Sequence, residues 1–120
     1  MLVKRFANQR EIVAGDNCIL REFFNIEHGD KVECRYSLAW AKVPVGQTSQ
    51  KHVMKTTEVY FILKGKGKMH IGDEVEDVGL YDTIYIPSGA VQYVENVGDG
   101  DLEFICIVDP AWRAEDEMVV

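Results

Sequence analysis

An all-β fold, a sandwich or a barrel, is what this 120-residue sequence predicts. Three observations carry the expectation. Turn signals recur at short intervals, at Ala14-Gly15-Asp16-Asn17, Glu27-His28-Gly29-Asp30, Val45-Gly46, Lys64-Gly65-Lys66-Gly67, Ile71-Gly72-Asp73, Pro87-Ser88-Gly89 and Val97-Gly98-Asp99-Gly100. Short apolar or alternating runs fill the spaces between them. Helical periodicity is scarce, and no linker, repeat or low-complexity segment interrupts the rhythm.

The first strand is expected at 18–24 (CILREFF), after the Gly15-Asp16 turn. A longer one follows at 33–44 (ECRYSLAWAKVP), on which Tyr36 and Trp40 share a face, at the barrel mouth or a dimer contact. A short run at 51–54 holds His52 and Met54 two apart. The next strand, 58–64 (EVYFILK), puts Glu58, Tyr60 and Ile62 on one face and Val59, Phe61 and Leu63 on the other. Both faces are apolar, as in a strand covered on both sides. Strands at 67–71, 82–86 (DTIYI), 91–96 (VQYVEN) and 102–108 (LEFICIV) complete the set. The best helix is the tail, with Asp109 as N-cap and Pro110 in the first helical position before AWRAEDE.

Composition narrows the class. A hydrophobic fraction of 47% is enough for one core, and one domain over 1–120 is expected. The net charge of -7 repels phosphate backbones and argues against nucleic acid. No apolar run spans a bilayer, so no membrane partner is expected. The first residues lack the apolar core of a signal peptide, so a cytoplasmic location is expected. Cys18, Cys34 and Cys106 are odd in number and widely spaced, which fits free thiols in a reducing compartment.

Two ordered motifs carry chemistry. In the first, Gly46 is followed after five residues by His52, then Met54, Glu58 after three more, and Gly65 after a further six. In the second, Tyr81 precedes Pro87-Ser88-Gly89 by five residues, and Gln92 and Asn96 follow. This arrangement, over about 46–65 and 81–96, resembles the two motifs of the cupin superfamily, in particular its small single-domain members. The resemblance implies a jelly-roll β-barrel. It also implies a divalent metal (zinc, iron, manganese, nickel or copper) at His52, Met54, Glu58 and Gln92. Two of these depart from the family pattern, since Met54 and Gln92 stand at histidine positions, and Tyr81 stands where the second motif begins with glycine. Imidazole and carboxylate suit borderline metals, an amide oxygen is weaker, and a thioether suits softer ions. The metal-free alternative is a pocket in which His52 and Glu58 hydrogen-bond each other, Met54 fills volume and Gln92 satisfies a polar neighbour.

Candidates for catalysis are Glu58 as a base, Tyr60 through its hydroxyl and Cys106 through its thiol. Each has a plainer reading: Tyr60 as a core tyrosine, Cys106 as a small buried hydrophobe. Arg21 and Glu22 read either as a surface pair or, for Arg21, as a clamp inside the barrel. His28 and His70 read as solvent-facing. The resemblance implies a metal-binding cupin that binds or acts on a small molecule, with dioxygenase, isomerase and lyase chemistry as the classes. The alternative is a non-catalytic module that binds a sugar or organic acid without metal. A homodimer is expected, because the outer face of Val59–Leu63 needs cover.

Overall fold

The structure, a computed structural model, describes residues 1–120. Eleven strands run in chain order: β1 (Glu11–Val13), β2 (Ile19–Phe24), β3 (Ser37–Val43), β4 (His52–Met54), β5 (Thr57–Lys64), β6 (Gly67–Ile71), β7 (Glu74–Val78), β8 (Thr83–Ile86), β9 (Val91–Asn96), β10 (Leu102–Asp109) and β11 (Glu117–Val119). They form two antiparallel sheets. One has the order β1-β2-β3-β10-β5-β8 and the other β11-β4-β9-β6-β7. The non-consecutive neighbours β3, β10 and β5 are what folds a jelly roll out of hairpins.

The alternation read from the sequence sets the inner and outer faces. On β5, Glu58, Tyr60 and Ile62 are buried, while Val59 and Phe61 are only half-buried on the other side. β10 opposes it in register, with Phe104 against Ile62 and Cys106 against Tyr60. Ile62, Leu102 and Phe104 are the most deeply buried of this face, and Met54, Met69 and Val94 pack into the same cluster from the second sheet.

Three strands went unread in the sequence. β7, Glu-Val-Glu-Asp-Val, is exposed at four of its five residues. An edge strand with solvated acids has no apolar alternation to reveal it. β1 and β11 are three residues each and pair only at sheet edges. The long strand expected at 33–44 starts only at Ser37. The tail holds one 3₁₀ turn, Ala114–Asp116, in place of a helix capped by Asp109. Asp109 is instead the last residue of β10 and pairs with Thr57. The Ala111 N–H then donates to the Arg35 carbonyl oxygen at 2.8 Å, which takes the donor an Asp109 cap would have accepted from.

Motif residues outside the site shape the backbone. Gly65 has φ of +89°, and a Cβ there would sit 2.5 Å from the Asp101 carbonyl oxygen. Tyr81, at the position of the missing glycine, adopts φ of +68° and stacks on Phe61 with ring centroids 6.0 Å apart. The glycine conformation is thus kept without glycine. Asn96 is buried and fully partnered. Its amide donates to Val43 O and Gly100 O, and its oxygen accepts from the Gly98 N–H. It ties the β9–β10 connection to the end of β3.

Gly65→Ala should therefore destabilise the protein more than Gly89→Ala. Both place a side chain at positive φ, at a cost of about 1–2 kcal/mol. Only Gly65 also meets backbone, whereas Gly89 has open space around it. Urea unfolding midpoints measure the difference, and equal losses would mean that the 101–102 backbone retreats freely.

Candidate functional site

Both sheets contribute to one buried polar group. β4 and β9 pair so that His52 lies opposite Gln92. Glu58 and Tyr60 enter from β5, and Cys106 from β10 beside Tyr60. Glu58 Oε1 accepts from the Gln92 amide nitrogen at 2.7 Å, and Oε2 accepts from the Cys106 thiol at 3.1 Å. The Gln92 oxygen accepts in turn from the Tyr60 hydroxyl at 3.2 Å. All four side chains are buried. Burial pushes the Glu58 carboxyl above its ordinary value, opposed by the Cys106 and Gln92 hydrogen bonds. Burial, with the Glu58 charge added, also raises the Tyr60 hydroxyl and the Cys106 thiol well above their usual ranges.

A second group forms around His52, which is 2% exposed. Its Nδ1 lies 2.8 Å from the Gln50 carbonyl oxygen, which can only accept, so Nδ1 carries the proton. Nε2 faces Asp16 Oδ2 at 3.7 Å. Glu117, the first residue of β11, brings its carboxylate to the same place. Ligating atoms of Asp16, His52 and Glu117 all lie within 4.8 Å of one another. Asp16 is fixed by the turn between β1 and β2, where Oδ1 accepts from Cys18 N at 3.1 Å and Oδ2 from Cys18 Sγ at 3.4 Å. Glu117 accepts from the Trp112 indole at 3.2 Å. Burial, and then the nearby Asp16 charge, raise the Glu117 carboxyl. The Cys18 thiol is raised for the same two reasons.

The four ligand positions implied by the family resemblance thus divide. His52 turns to Asp16 and Glu117. Glu58 has both oxygens engaged by donors. Gln92 offers Glu58 its N–H, and its oxygen accepts from Tyr60. Met54 sits in the apolar cluster. Glu58 and Gln92 are thus bonded to each other, while His52 belongs to a separate group with Asp16 and Glu117. His52 and Glu58 do not hydrogen-bond each other; Gln92 is the partner of Glu58. Asp16 and Glu117 had no motif to mark them: Asp16 read as a turn residue, and Glu117 as part of a helical tail.

The remaining candidates keep some of their readings and lose others. Arg21 stays outside the barrel, where it bonds to Glu11 and to the Phe6 carbonyl and lies over the Phe6 ring. Trp40 is on the same outer surface, with the Phe6 ring edge-on at 5.0 Å, and Tyr36 packs against Phe24. Glu22 faces inward and bonds His28 at 2.6 Å. His28 is exposed, as expected, with its ring against Trp112 at the cavity rim. His70 is half-buried, stacked on Tyr93 at 4.1 Å.

The two polar groups border one cavity of about 200 Å³. Its walls are mainly apolar, with Ala39, Ala41, Leu20 and Phe104 among them. His52, Glu58, Tyr60 and Cys106 line it, as do Asp16 and Glu117. Gln92 lies behind this wall rather than in it.

Cys18 and Cys106 are buried and Cys34 is partly exposed. One thiol, Cys34, is therefore expected to react rapidly with an aromatic disulfide at pH 8, the other two only on unfolding. A second fast thiol in the native protein would show that the cavity admits the reagent.

Comparison with known proteins agrees with this architecture. The cupin domain family model matches residues 39–108, more than half of the chain. An uncharacterized protein of Methanocaldococcus jannaschii is 37% identical over 111 residues, covering 90% of this chain and 86% of its own. An oxalate-binding protein of Thermotoga maritima is 31% identical over 68 residues, 56% of each chain. Among solved structures, a predicted oxalate decarboxylase from Thermotoga maritima superposes with a TM-score of 0.77 at 21% identity, over 91% of this chain and 99% of that one. A mutant of Bacillus subtilis oxalate decarboxylase gives 0.81 at 22% identity, over 98% of this chain and 32% of that one. At such identities the structural likeness establishes the fold alone. With the two motifs in place, the jelly roll closed and the family match extending from β3 through β10, the chain belongs to the cupin family.

Proposed function

We propose that this cupin binds a small oxygen-bearing organic molecule in its barrel cavity together with a divalent cation. The charge of the lining carries the reading. Asp16, Glu22, Glu58 and Glu117 border the cavity with His28 and His52, and no lysine or arginine does. An organic anion alone would meet uncompensated carboxylates in a poorly screened space. A cation reverses that balance, and as a Lewis acid it offers open positions to carboxylate or hydroxyl oxygens. The relatives named for oxalate support a small organic acid as the ligand class. The closed network around Glu58 favours binding over turnover, because a proton transfer there must first break the hydrogen bonds that hold it.

Thermal unfolding tests this. Ligand at a hundred times its dissociation constant adds about 2.7 kcal/mol. Oxalate with Mn²⁺ should raise the melting temperature by several degrees beyond Mn²⁺ alone, and oxalate with a chelator should not raise it. Equal stabilisation by oxalate in the presence of chelator would mean that the cavity takes the anion directly, against this reading.

A second copy of the chain is the proposed partner. The register sets Tyr85, Val59, Ile107 and Leu38 side by side across the outer face of the six-stranded sheet. Phe61, Ile105 and Trp40 form the next row. Phe6 covers part of the second row at Trp40, while Tyr85 is 62% exposed. A twofold contact would cover the remainder. Light scattering at micromolar concentration should give a dimer mass, and Ile107→Glu should shift it toward monomer. A monomer mass for the unaltered chain would refute the pairing.

A further inference from the structure

We propose that the cation is held by Asp16, His52 and Glu117, a site that shares only His52 with the ligand positions of the family. The inference rests on the reading that a cation belongs to this cavity, and it names where. Three separate segments converge there: the β1–β2 turn, the start of β4 and the start of β11. Each is held from behind. The Asp16 carbonyl accepts from Gln50 N at 2.8 Å, and the Gln50 carbonyl orients the His52 ring. β11 pairs with β4, with Glu117 opposite Met54.

Two observations beyond proximity point to an ion. The first is the imidazole. With Nδ1 bonded to the Gln50 carbonyl, His52 turns Nε2 into the barrel, where it has no hydrogen-bond partner and Asp16 Oδ2 stands at 3.7 Å, beyond hydrogen-bond distance. A ring nitrogen without a hydrogen-bond partner, on a residue 2% exposed and facing carboxylates, marks the place an ion would occupy. The second is charge. No lysine or arginine pairs with Asp16 or Glu117, although Asp16 is buried and Glu117 is half-buried. A divalent ion would neutralise both carboxylates at once. One imidazole nitrogen with two carboxylates suits Mn²⁺, Fe²⁺ or Zn²⁺. Three protein ligands leave coordination positions free on the cavity side.

The test is Mn²⁺ titration of the chelator-stripped full-length chain, followed by loss of the free-ion electron paramagnetic resonance signal, with circular dichroism to confirm folding. One Mn²⁺ per chain is expected. Glu117→Gln and Asp16→Asn should each weaken binding by at least about tenfold, while Glu58→Gln and Met54→Leu should leave it within about threefold. Two substitutions on different segments keep the test decisive if one of them disturbs folding. Binding lost in Glu58→Gln but kept in Glu117→Gln and Asp16→Asn would put the ion at the family positions and overturn this site, leaving the cation reading intact. No Mn²⁺ or Zn²⁺ bound by the unaltered chain at millimolar concentration would overturn both.

Discussion

A carboxylate taken out of water must find donors, and Glu58 finds them in two different strands of two different sheets. β10 supplies the Cys106 thiol from the same sheet, and β9 supplies the Gln92 amide from the opposite one. The Tyr60 hydroxyl then occupies the Gln92 oxygen. A buried polar group left without partners costs about 1–3 kcal/mol, so this chain of bonds constrains how the two sheets sit on each other. It also explains why the departure at Gln92 is tolerated. A glutamine can donate to Glu58 and accept from Tyr60 at once, whereas a neutral imidazole facing the same two groups has one donor and one acceptor in a fixed ring geometry.

That network changes what the cavity can do. With Glu58 engaged, the side chain left with an unpartnered ring nitrogen is His52, and its neighbours are Asp16 and Glu117. The polar end of the cavity is acidic, and the remaining wall is apolar. Such a lining selects against a bare anion and in favour of a cation or a neutral ligand. The Cys18 and Cys106 thiols each donate to a carboxylate, and burial with that neighbouring charge raises both well above the usual thiol range.

The outer face of the six-stranded sheet follows a different logic. Alternation forces Val59, Phe61, Ile105 and Ile107 outward if Glu58, Tyr60, Phe104 and Cys106 are to point inward. The chain covers part of that face itself, by laying Phe6 on Trp40 and Arg21 on Phe6. The rest of that face stays apolar, with Tyr85 62% exposed at its edge.

The sequence by itself determined the strand rhythm, the inward face of β5 and β10, and the motif residues that fix the turns. Local chemistry is sufficient for those: period-two alternation sets the faces, and Gly, Pro, Asn and Asp mark the turns. It also singled out His52, Glu58 and Gln92 as buried together, because the two motifs carry their spacing. Only the tertiary structure decided which of them face each other. The orientation of Gln92 depends on Tyr60, a residue with an equally good reading as plain core. Asp16 and Glu117 stand about a hundred positions apart, in a turn and an edge strand without periodicity, and the sequence holds no signal that pairs them. They meet His52 because β11 adds to β4 while the β1–β2 turn is tied through Gln50. Those are long-range backbone contacts, set by how the sheets close and not by any local preference.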